Sequence, residues 1–356
     1  MRRLLTFLLL PSFALFLVLT PLSCSSNNNP SSPTHSLVRW TEATASAKFA
    51  LRAGHTSVVF NNEMWVIGGF IHTHSTHDIW RPANDVWHSS DGITWNAATT
   101  QAAFPARCQH TSLVYNPVTG LEQDGKMWVI GGAVEGVGYS SDAWYSSDGT
   151  NWNEATAHGA FPIRGEFSSV VYNHAMWVVG GLQGLGLDLN DVWASTDGIT
   201  WNAATTQATF SARSEFGLLS YNNAMWVIGG AKTNDSITSV SLNDVWSSTD
   251  GITWNAATTQ AAFPSRAGHA SVVFNGAMWV IGGINANYGY LNDTWYSYDG
   301  INWCEAKTTN TFSPRYLFTS LVYTPTKGPG KINEIWVIGG NDGTQNDCND
   351  VWYNPF

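Results

Sequence analysis

The sequence has few charged residues, few cysteines and, after its first 23 residues, no long apolar run. Charged residues make up 12% of the 356-residue chain, and the formal net charge is −10. No basic run occurs beyond Arg2 and Arg3. Because binding to phosphates needs a positive surface, we expect no nucleic-acid partner. Since no later run could span a bilayer, we expect contact with a membrane only through a lipid.

Motifs of nucleophilic and phosphoryl-transfer catalysis are absent, and we expect no cofactor. Apart from Cys24 there are three cysteines, Cys108, Cys304 and Cys348, and none falls at a metal-binding spacing. We predict idle or buried thiols, with one disulfide as the alternative in an exported protein. Cys304 and Cys348 are expected at opposite rims of the fold, which argues against that pair.

The first 23 residues have the pattern of a secretory signal peptide. Arg2 and Arg3 precede an apolar stretch that ends in Leu22-Ser23-Cys24. This ending resembles a bacterial lipobox, which implies a lipid on Cys24, although Pro21 replaces the leucine that the motif prefers. Residues 24–36 are polar and predict a flexible tether. We therefore expect an exported protein, anchored by lipid; a periplasmic or secreted protein is the alternative.

One pattern recurs through the rest of the chain: a short apolar run that ends in Gly-Gly. It is clearest at 225–230 (Met-Trp-Val-Ile-Gly-Gly) and returns with small changes at 64–69, 127–132, 176–181, 278–283 and 335–340. Such a run predicts a buried strand followed by a turn that needs positive φ. Six copies indicate a repeat architecture.

Each repeat of about 50 residues predicts four short antiparallel strands, as in a propeller blade. In the fourth repeat Asn222-Asn223 and Asp250-Gly251 predict two-residue hairpin turns. The first and fourth repeats have long connections between their second and third strands, for which we predict loops. The four strands of the fourth repeat are expected at 215–221, 224–230, 243–249 and 252–257.

The two ends of the domain are expected to complete one blade together. Residues 37–43 have a fourth-strand sequence with no blade before it, and the last repeat stops after its third strand. We predict that 37–43 pairs with 349–354 and closes the sheet edges. The fold class is then all-β, a six-bladed β-propeller over 37–356.

The repeats resemble Kelch repeats in three features: the Gly-Gly after an apolar strand, Arg-x-x-His before the first strand, and Asn-Asp-Val-Trp in the third strand. The resemblance covers 37–356 and implies a Kelch propeller that binds a ligand at one rim of its channel. It leaves open whether the protein is a binding scaffold or an enzyme. Phenylalanine replaces the histidine in three repeats, at Phe167, Phe216 and Phe318.

An arginine stands 12 residues after the fourth-strand tryptophan in every repeat. If these arginines ring the channel mouth, they could hold a carboxylate or an acidic peptide. The alternative is that each pairs with an aspartate and locks neighbouring blades together. The arginines are Arg52, Arg107, Arg164, Arg213, Arg266 and Arg315. The candidate partners are Asp85, Asp142, Asp191, Asp244, Asp293 and Asp350.

Two features break the repeat pattern. Two residues after the arginine stand Glu166 and Glu215 in consecutive repeats, a carboxylate pair suited either to acid–base chemistry on a sugar or to ion pairs. The first long connection contains His72, His74 and His77, which are weak candidates for a zinc or copper site; a merely polar loop is the alternative. Trp80 lies outside the tryptophan registers and is suited to stack on a ligand or to pack its loop.

Three functions remain open from the sequence. The leading hypothesis is a non-catalytic propeller that binds a glycan or a protein at the arginine rim. An alternative is a sugar-directed enzyme similar to the Kelch-type sialic acid mutarotase, with Glu166 or Glu215 as acid or base. A structural surface protein is the third hypothesis.

Overall fold

The computed structural model of the protein describes residues 37–73, 79–119, 125–184, 186–234, 239–287, 289–325, 333–344 and 347–355. Contacts divide the chain into two units, Met1–Ser32 and Pro33–Phe356, and every described residue belongs to the second. The predicted signal peptide (1–23) and the predicted tether (24–36) therefore lie outside the described residues. Within the described part of the chain, no helix has the length and hydropathy that a bilayer crossing requires.

The regular structure of the described residues is entirely β-strand, arranged in six antiparallel four-stranded units. Unit 1 contains β4 (Thr56–Phe60), β5 (Glu63–Thr73), β6 (Ile79–Ser89) and β7 (Asn96–Thr99). Unit 2 contains β9 (Thr111–Tyr115), β10 (Lys126–Val134), β11 (Gly138–Ser146) and β12 (Asn153–Thr156). Unit 3 contains β13 (Ser168–Tyr172), β14 (Ala175–Gln183), β15 (Leu187–Ser195) and β16 (Asn202–Thr205).

The remaining units follow the same order of pairing. Unit 4 contains β17 (Gly217–Tyr221), β18 (Ala224–Thr233), β19 (Ser239–Ser248) and β20 (Asn255–Thr258). Unit 5 contains β21 (Ala270–Phe274), β22 (Ala277–Asn285), β23 (Gly289–Ser297) and β24 (Cys304–Glu305). Unit 6 contains β26 (Thr319–Tyr323), β27 (Glu334–Asn341), β28 (Asp347–Asn354) and β2 (Thr41–Thr44). Four short strands stand outside the units: β1 (Leu37–Arg39), β3 (Arg52–Ala53), β8 (Arg107–Cys108) and β25 (Lys307–Asn310).

The first strands of the units contact one another in cyclic order, because β4 of unit 1 contacts both β9 of unit 2 and β26 of unit 6. The apolar core consists of six clusters that lie between neighbouring units. The cluster between units 6 and 1 contains the fully buried Val66 and Ile338. Each sheet is therefore buried on both faces, which explains its apolar second strand.

The N-terminal segment divides its pairing between two places. β2 pairs antiparallel with β28, with Thr41 opposite Tyr353, as the sequence predicted for this segment. β1 instead pairs in parallel with β25, so the predicted pairing is wrong for residues 37–39. The reason is Trp40, which is fully buried and packs edge-on against Phe312 with ring centroids 5.1 Å apart.

The Gly-Gly pairs lie where neighbouring units come closest. Gly229 and Gly230 have φ of 56° and 103°. A Cβ on Gly230 would lie 2.6 Å from the Cβ of Phe216, so only glycine fits there. The N–H of Gly230 donates to the carbonyl of Arg266 in the next unit at 2.9 Å. The predicted turn at Gly-Gly is wrong, because the pair lies inside the second strand at a β-bulge, where the positive φ shifts the register and the backbone contacts the next unit.

One of the two predicted hairpin turns is present. Asn222 and Asn223 connect β17 and β18 with φ of 48° and 56°, as a two-residue turn requires. Asp250-Gly251 is not a two-residue turn, because β19 ends at Ser248 and β20 begins at Asn255. Asp250 Oδ1 instead accepts two backbone N–H groups of this loop at 2.8 Å. The aspartate builds a longer turn from its own side chain.

The predicted long loops of the first and fourth repeats are largely strand. β5 continues to Thr73 and β6 begins at Ile79, and in unit 4 β18 continues to Thr233 while β19 begins at Ser239. The backbone groups of such an extension satisfy one another across the pair, which an irregular loop cannot do. These two units therefore carry elongated β-hairpins.

Candidate functional site

The six arginines are fully buried, and each is held by an aspartate of its own unit. Arg164 is representative: Nη1 and Nη2 donate to the two carboxylate oxygens of Asp191, both at 2.7 Å, and Nη1 also donates to the Gly180 carbonyl at 2.7 Å. Its guanidinium carbon lies 5.6 Å from the ring centre of Phe161. The pairs are Arg52–Asp85, Arg107–Asp142, Arg164–Asp191, Arg213–Asp244, Arg266–Asp293 and Arg315–Asp350.

The arginines therefore connect units and do not form a cationic rim. The backbone N–H of Arg164 donates to the Ser140 carbonyl of unit 2 at 3.1 Å, while its side chain binds within unit 3. The prediction that these six residues grip a ligand is wrong, because no part of their side chains is exposed. The Arg–Asp pairing of the alternative is confirmed in every repeat, but each ion pair lies within one unit, so the ion pairs do not themselves lock neighbouring units together.

A closed ring of backbone hydrogen bonds lies just beyond the arginines. Its members stand two residues after each arginine, and every one is in the left-handed region with φ between 52° and 58°. The N–H of each donates to the carbonyl of the member in the preceding unit at 2.8–3.0 Å, and the first donates to the last. We call them the ring residues: Gly54, Gln109, Glu166, Glu215, Gly268 and Leu317.

The predicted carboxylate pair occupies two consecutive positions of this ring. The N–H of Glu215 donates to the carbonyl of Glu166 at 2.9 Å. Oε1 of Glu166 accepts a hydrogen bond from Nε2 of Gln109 at 2.7 Å. In the described residues neither glutamate forms an ion pair, so the alternative of two further salt bridges is wrong. The nearby Arg164 and Arg213 are already bound to aspartates.

Both glutamates hold protons more tightly than a solvated carboxyl group does. Burial raises the pKa of Glu215 to about 8, with further increases from the charges of Glu166 and Asp188. Burial and the charge of Asp188 raise the pKa of Glu166 to about 7. Hydrogen bonds with the Gln109 and Ser214 side chains lower this pKa but do not offset the increase. The pair is thus poised to exchange protons near neutral pH.

Three residues at the pair were not predicted from the sequence. Asp188, only 9% exposed, accepts the N–H of Thr233 through Oδ2, and its Oδ1 is buried without a hydrogen-bond partner. Tyr139 and Tyr316 flank the ring, and burial together with the nearby acids raises the pKa of each to about 12. Tyr316 follows Arg315 directly, where the other repeats have small residues. Comparing the residue that directly follows the arginine in the six repeats would have identified Tyr316.

In the part of the chain that it describes, the structure does not show the other candidate site residues beside the glutamate pair. His74 and His77 lie outside them. His72 and Trp80 are described only as backbone, where they form a strand pair. In the described ranges no group of three or more His, Cys, Asp or Glu side chains could hold a metal ion.

The cysteines show no bridge among Cys108, Cys304 and Cys348. Cys108 and Cys348 are free thiols, as predicted, whereas Cys304 is disulfide-bonded, so the prediction of an idle thiol is wrong for Cys304. The prediction that Cys304 and Cys348 do not pair is therefore confirmed. Cys24, the predicted lipidation site, lies outside the described residues.

Comparison with known families agrees with the architecture described above. The model of the KLHDC2/KLHL20/DRC7 Kelch-repeats domain matches the chain over residues 54–249 and again over 118–326. No curated protein matches the chain. The two matches together extend over more than half of the sequence and overlap the repeats that carry the Arg–Asp pairs. The chain therefore belongs to the Kelch-repeat family of β-propellers.

Proposed function

We propose that this protein is a non-catalytic binding propeller whose partner is a protein, and that the Glu166–Glu215 pair receives a basic side chain of that partner. The Kelch-repeat match supports a protein-binding propeller. The observation that carries the finer proposal is the pair itself: two adjacent carboxyl groups without a cation. The sequence predicted a positively charged site for acidic ligands at this end of the channel. The structure instead supports a negatively charged site for a basic ligand.

Electrostatics favours a cationic group at this position. Asp188 adds a third acid with one unpartnered oxygen, and the chain carries a formal net charge of −10. An ammonium or guanidinium group about 4 Å away gains about 4 kcal/mol from one carboxylate at an effective dielectric constant of 20. Binding would lower the pKa values of Glu166 and Glu215 and therefore release protons.

The test uses fluorescein-labelled penta-lysine, penta-arginine, penta-serine and penta-glutamate in a fluorescence anisotropy titration. We expect the two basic peptides to bind and the Glu166→Gln/Glu215→Gln variant to lose at least about tenfold in affinity. The control is Glu154→Gln, which removes an exposed carboxylate from β12. Equal binding by the double variant and the control, or no preference for basic peptides, would refute the proposal.

A second candidate function, a sugar-directed enzyme, is favoured by the protonation of the pair. A carboxyl group with a pKa of about 7 or 8 suits general acid–base catalysis at neutral pH. The arginines are not free to hold the carboxylate of sialic acid, which weighs against a mutarotase of that type. The discriminating measurement is the NMR rate of anomer exchange of sialic acid, glucose and galactose. Rates equal to those of the Glu166→Gln/Glu215→Gln variant exclude this function.

We further propose that the protein is exported and anchored through a lipid on Cys24. The support is the sequence pattern of residues 1–23 and the polar tether of 24–36. A lipid on Cys24 adds its mass to the mature chain, which intact-protein mass spectrometry detects. Detergent-phase partition that survives Cys24→Ala would show that this cysteine is not the anchor.

A further inference from the structure

A cavity of about 280 Å³ lies along the channel, beyond the ring residues. Histidine and phenylalanine side chains lie between it and the ring, and its walls are mainly the serine and threonine hydroxyls of the first strands. None of the residues that line it is Asp, Glu, Lys or Arg. The three wall histidines are neutral because burial lowers their pKa to about 3. The cavity is therefore polar but uncharged.

In units 1 to 3, hydroxyl groups of neighbouring units bind one another around the channel, whereas the Oγ atoms of Ser57, Ser271 and Ser320 have no hydrogen-bond partner. Thr56 Oγ1 lies 2.6 Å from Ser112 Oγ, and Thr111 Oγ1 lies 2.5 Å from Ser169 Oγ, each pair joining neighbouring units. Thr56 Oγ1 also lies 3.0 Å from Nε2 of His110. The hydroxyl groups stand four or five residues after the arginines. We call the six positions that stand four residues after an arginine the hydroxyl belt.

The hydroxyl belt is interrupted in units 4 and 5, where Gly217 and Ala270 replace the hydroxyl residue. His269 is only 7% exposed, and neither of its ring nitrogens has a hydrogen-bond partner. Ser271 Oγ is also buried without a partner. A Cβ on Gly217 would lie 2.2 Å from Ser271 Oγ and 3.1 Å from His269 Nε2, so both groups border the space that the glycine leaves. Buried polar groups of this kind are ordinarily satisfied, which points to a ligand or water.

We propose that this cavity is a second binding site, for a small neutral polyhydroxylated molecule such as a monosaccharide, with His269 and Ser271 as its hydrogen-bonding anchors. A neutral imidazole offers one donor and one acceptor, and a hydroxyl offers both, which matches the vicinal hydroxyls of a sugar. The side chains of Phe216 and Phe318 line the same cavity and offer apolar contact to the C–H groups of a pyranose. The absence of wall charges disfavours ionic ligands.

The cavity is reached from the end opposite the ring residues. The first strands run away from the ring, and two to three residues beyond the lining positions Val59 is 36% exposed and Ser220 is exposed. The glutamate pair lies at the other end. His269 lines both this cavity and the pocket that contains Glu166 and Glu215, whereas Ser271 lines only this cavity, so the two sites can be tested separately through Ser271.

The experiment is saturation-transfer NMR with glucose, galactose, N-acetylglucosamine and myo-inositol on the wild type and on His269→Phe. Phenylalanine occupies the same register in three other units, so the variant preserves the packing of the repeat. We expect a dissociation constant on the order of 1 mM for at least one probe. His269→Phe and Ser271→Ala should each weaken it at least about tenfold. The imidazole nitrogen shifts of His269 should move with saturation of the wild type.

Two controls separate this site from the rest of the surface. His158→Phe makes the same chemical change at an exposed histidine and should bind the sugar like the wild type. Ser271→Ala should keep the affinity for penta-lysine, because Ser271 does not line the pocket of the glutamate pair, so a failure here is distinct from a failure at that pair. The proposal is overturned if no probe binds at about 100 mM, roughly a hundredfold above the expected constant. Equal binding by His269→Phe, or a soaked crystal with only water in the cavity, also overturns it.

Discussion

The glutamate pair makes a strong prediction about stability, because its carboxyl groups are protonated more readily in the folded protein than in the unfolded chain. For Glu215 the pKa rises from 4.5 to about 8. At about 1.4 kcal/mol per tenfold change in proton affinity, this corresponds to a penalty of up to about 5 kcal/mol for the charged form. Because Glu166 and Glu215 share the same repulsion, their penalties do not add in full.

The sign follows from proton linkage. A carboxyl group with a raised folded pKa binds more protons when folded, so its contribution to stability falls as pH rises from about 4.5 to about 8. Glutamine is neutral at every pH and does not suffer this loss. We therefore expect Glu215→Gln to gain about 1–3 kcal/mol over the wild type between pH 5 and pH 9, and Glu166→Gln/Glu215→Gln to gain more.

Other groups titrate in the same window, so the comparison must be made between variants. Burial raises the pKa of Glu334 and of Asp347 to about 7, and both add to the loss of stability at high pH. Burial lowers the pKa of His55, His110 and His269 to about 3, so their contribution is lost as pH falls from 6.5. These contributions are common to wild type and variant and cancel in the difference.

The assay is urea denaturation followed by tryptophan fluorescence at five pH values from about 5 to about 9, with Glu154→Gln as the matched surface control. The difference in unfolding free energy between Glu215→Gln and the wild type should grow with pH and level off above about 8. A difference that is constant across the range would show that the folded pKa of Glu215 is ordinary. That result would also remove the electrostatic support for a cation at this site.

Three further predictions concern the architecture. Arg164→Ala leaves the Asp191 carboxylate buried and unpaired and should cost about 3–5 kcal/mol in urea denaturation, with recovery in a double variant that also removes the acid. Gly149→Ala would place a methyl group 2.1 Å from an indole of unit 1, whereas Gly136→Ala has a similar φ and no neighbour; the first should lower stability by about 1–3 kcal/mol more than the second. Deleting residues 37–44 exposes the edge of β28 and should cause aggregation, visible by light scattering.

Much of the fold could be predicted because equivalent positions of the six repeats can be aligned with one another in the sequence. Strand order and the Arg–Asp pairing follow from positions that recur in every unit, and the two-residue turn seen at Asn222-Asn223 recurs in four of them. For the elongated hairpins the sequence predicted loops, because the length of these segments can be read from the sequence and their backbone pairing cannot. The parallel pairing of residues 37–39 depends on where Trp40 is buried, which no local pattern indicates.

The site was harder to predict because its chemistry lies in the departures from the repeat. An arginine in every unit suggested ligand binding. All six arginines are fully buried in equivalent environments, so they have the same structural role in each unit. The glutamate pair was found because it broke the pattern at one register. Asp188 was missed because its register, three residues before the aspartate of the Arg–Asp pair, holds a different residue type in most units and so shows no pattern to depart from.

The ring residues explain why variation is tolerated, and used, at that register. All six share one backbone conformation and one set of hydrogen bonds, so the fold specifies their main chain and leaves the side chains free. Glycine, present at Gly54 and Gly268, is the residue that left-handed φ favours; a side chain there costs about 1–2 kcal/mol. Four units accept that cost, and two of them place carboxyl groups side by side. Because left-handed φ favours glycine, the ring itself does not require the side chains of Glu166 and Glu215, which agrees with the binding role proposed for them.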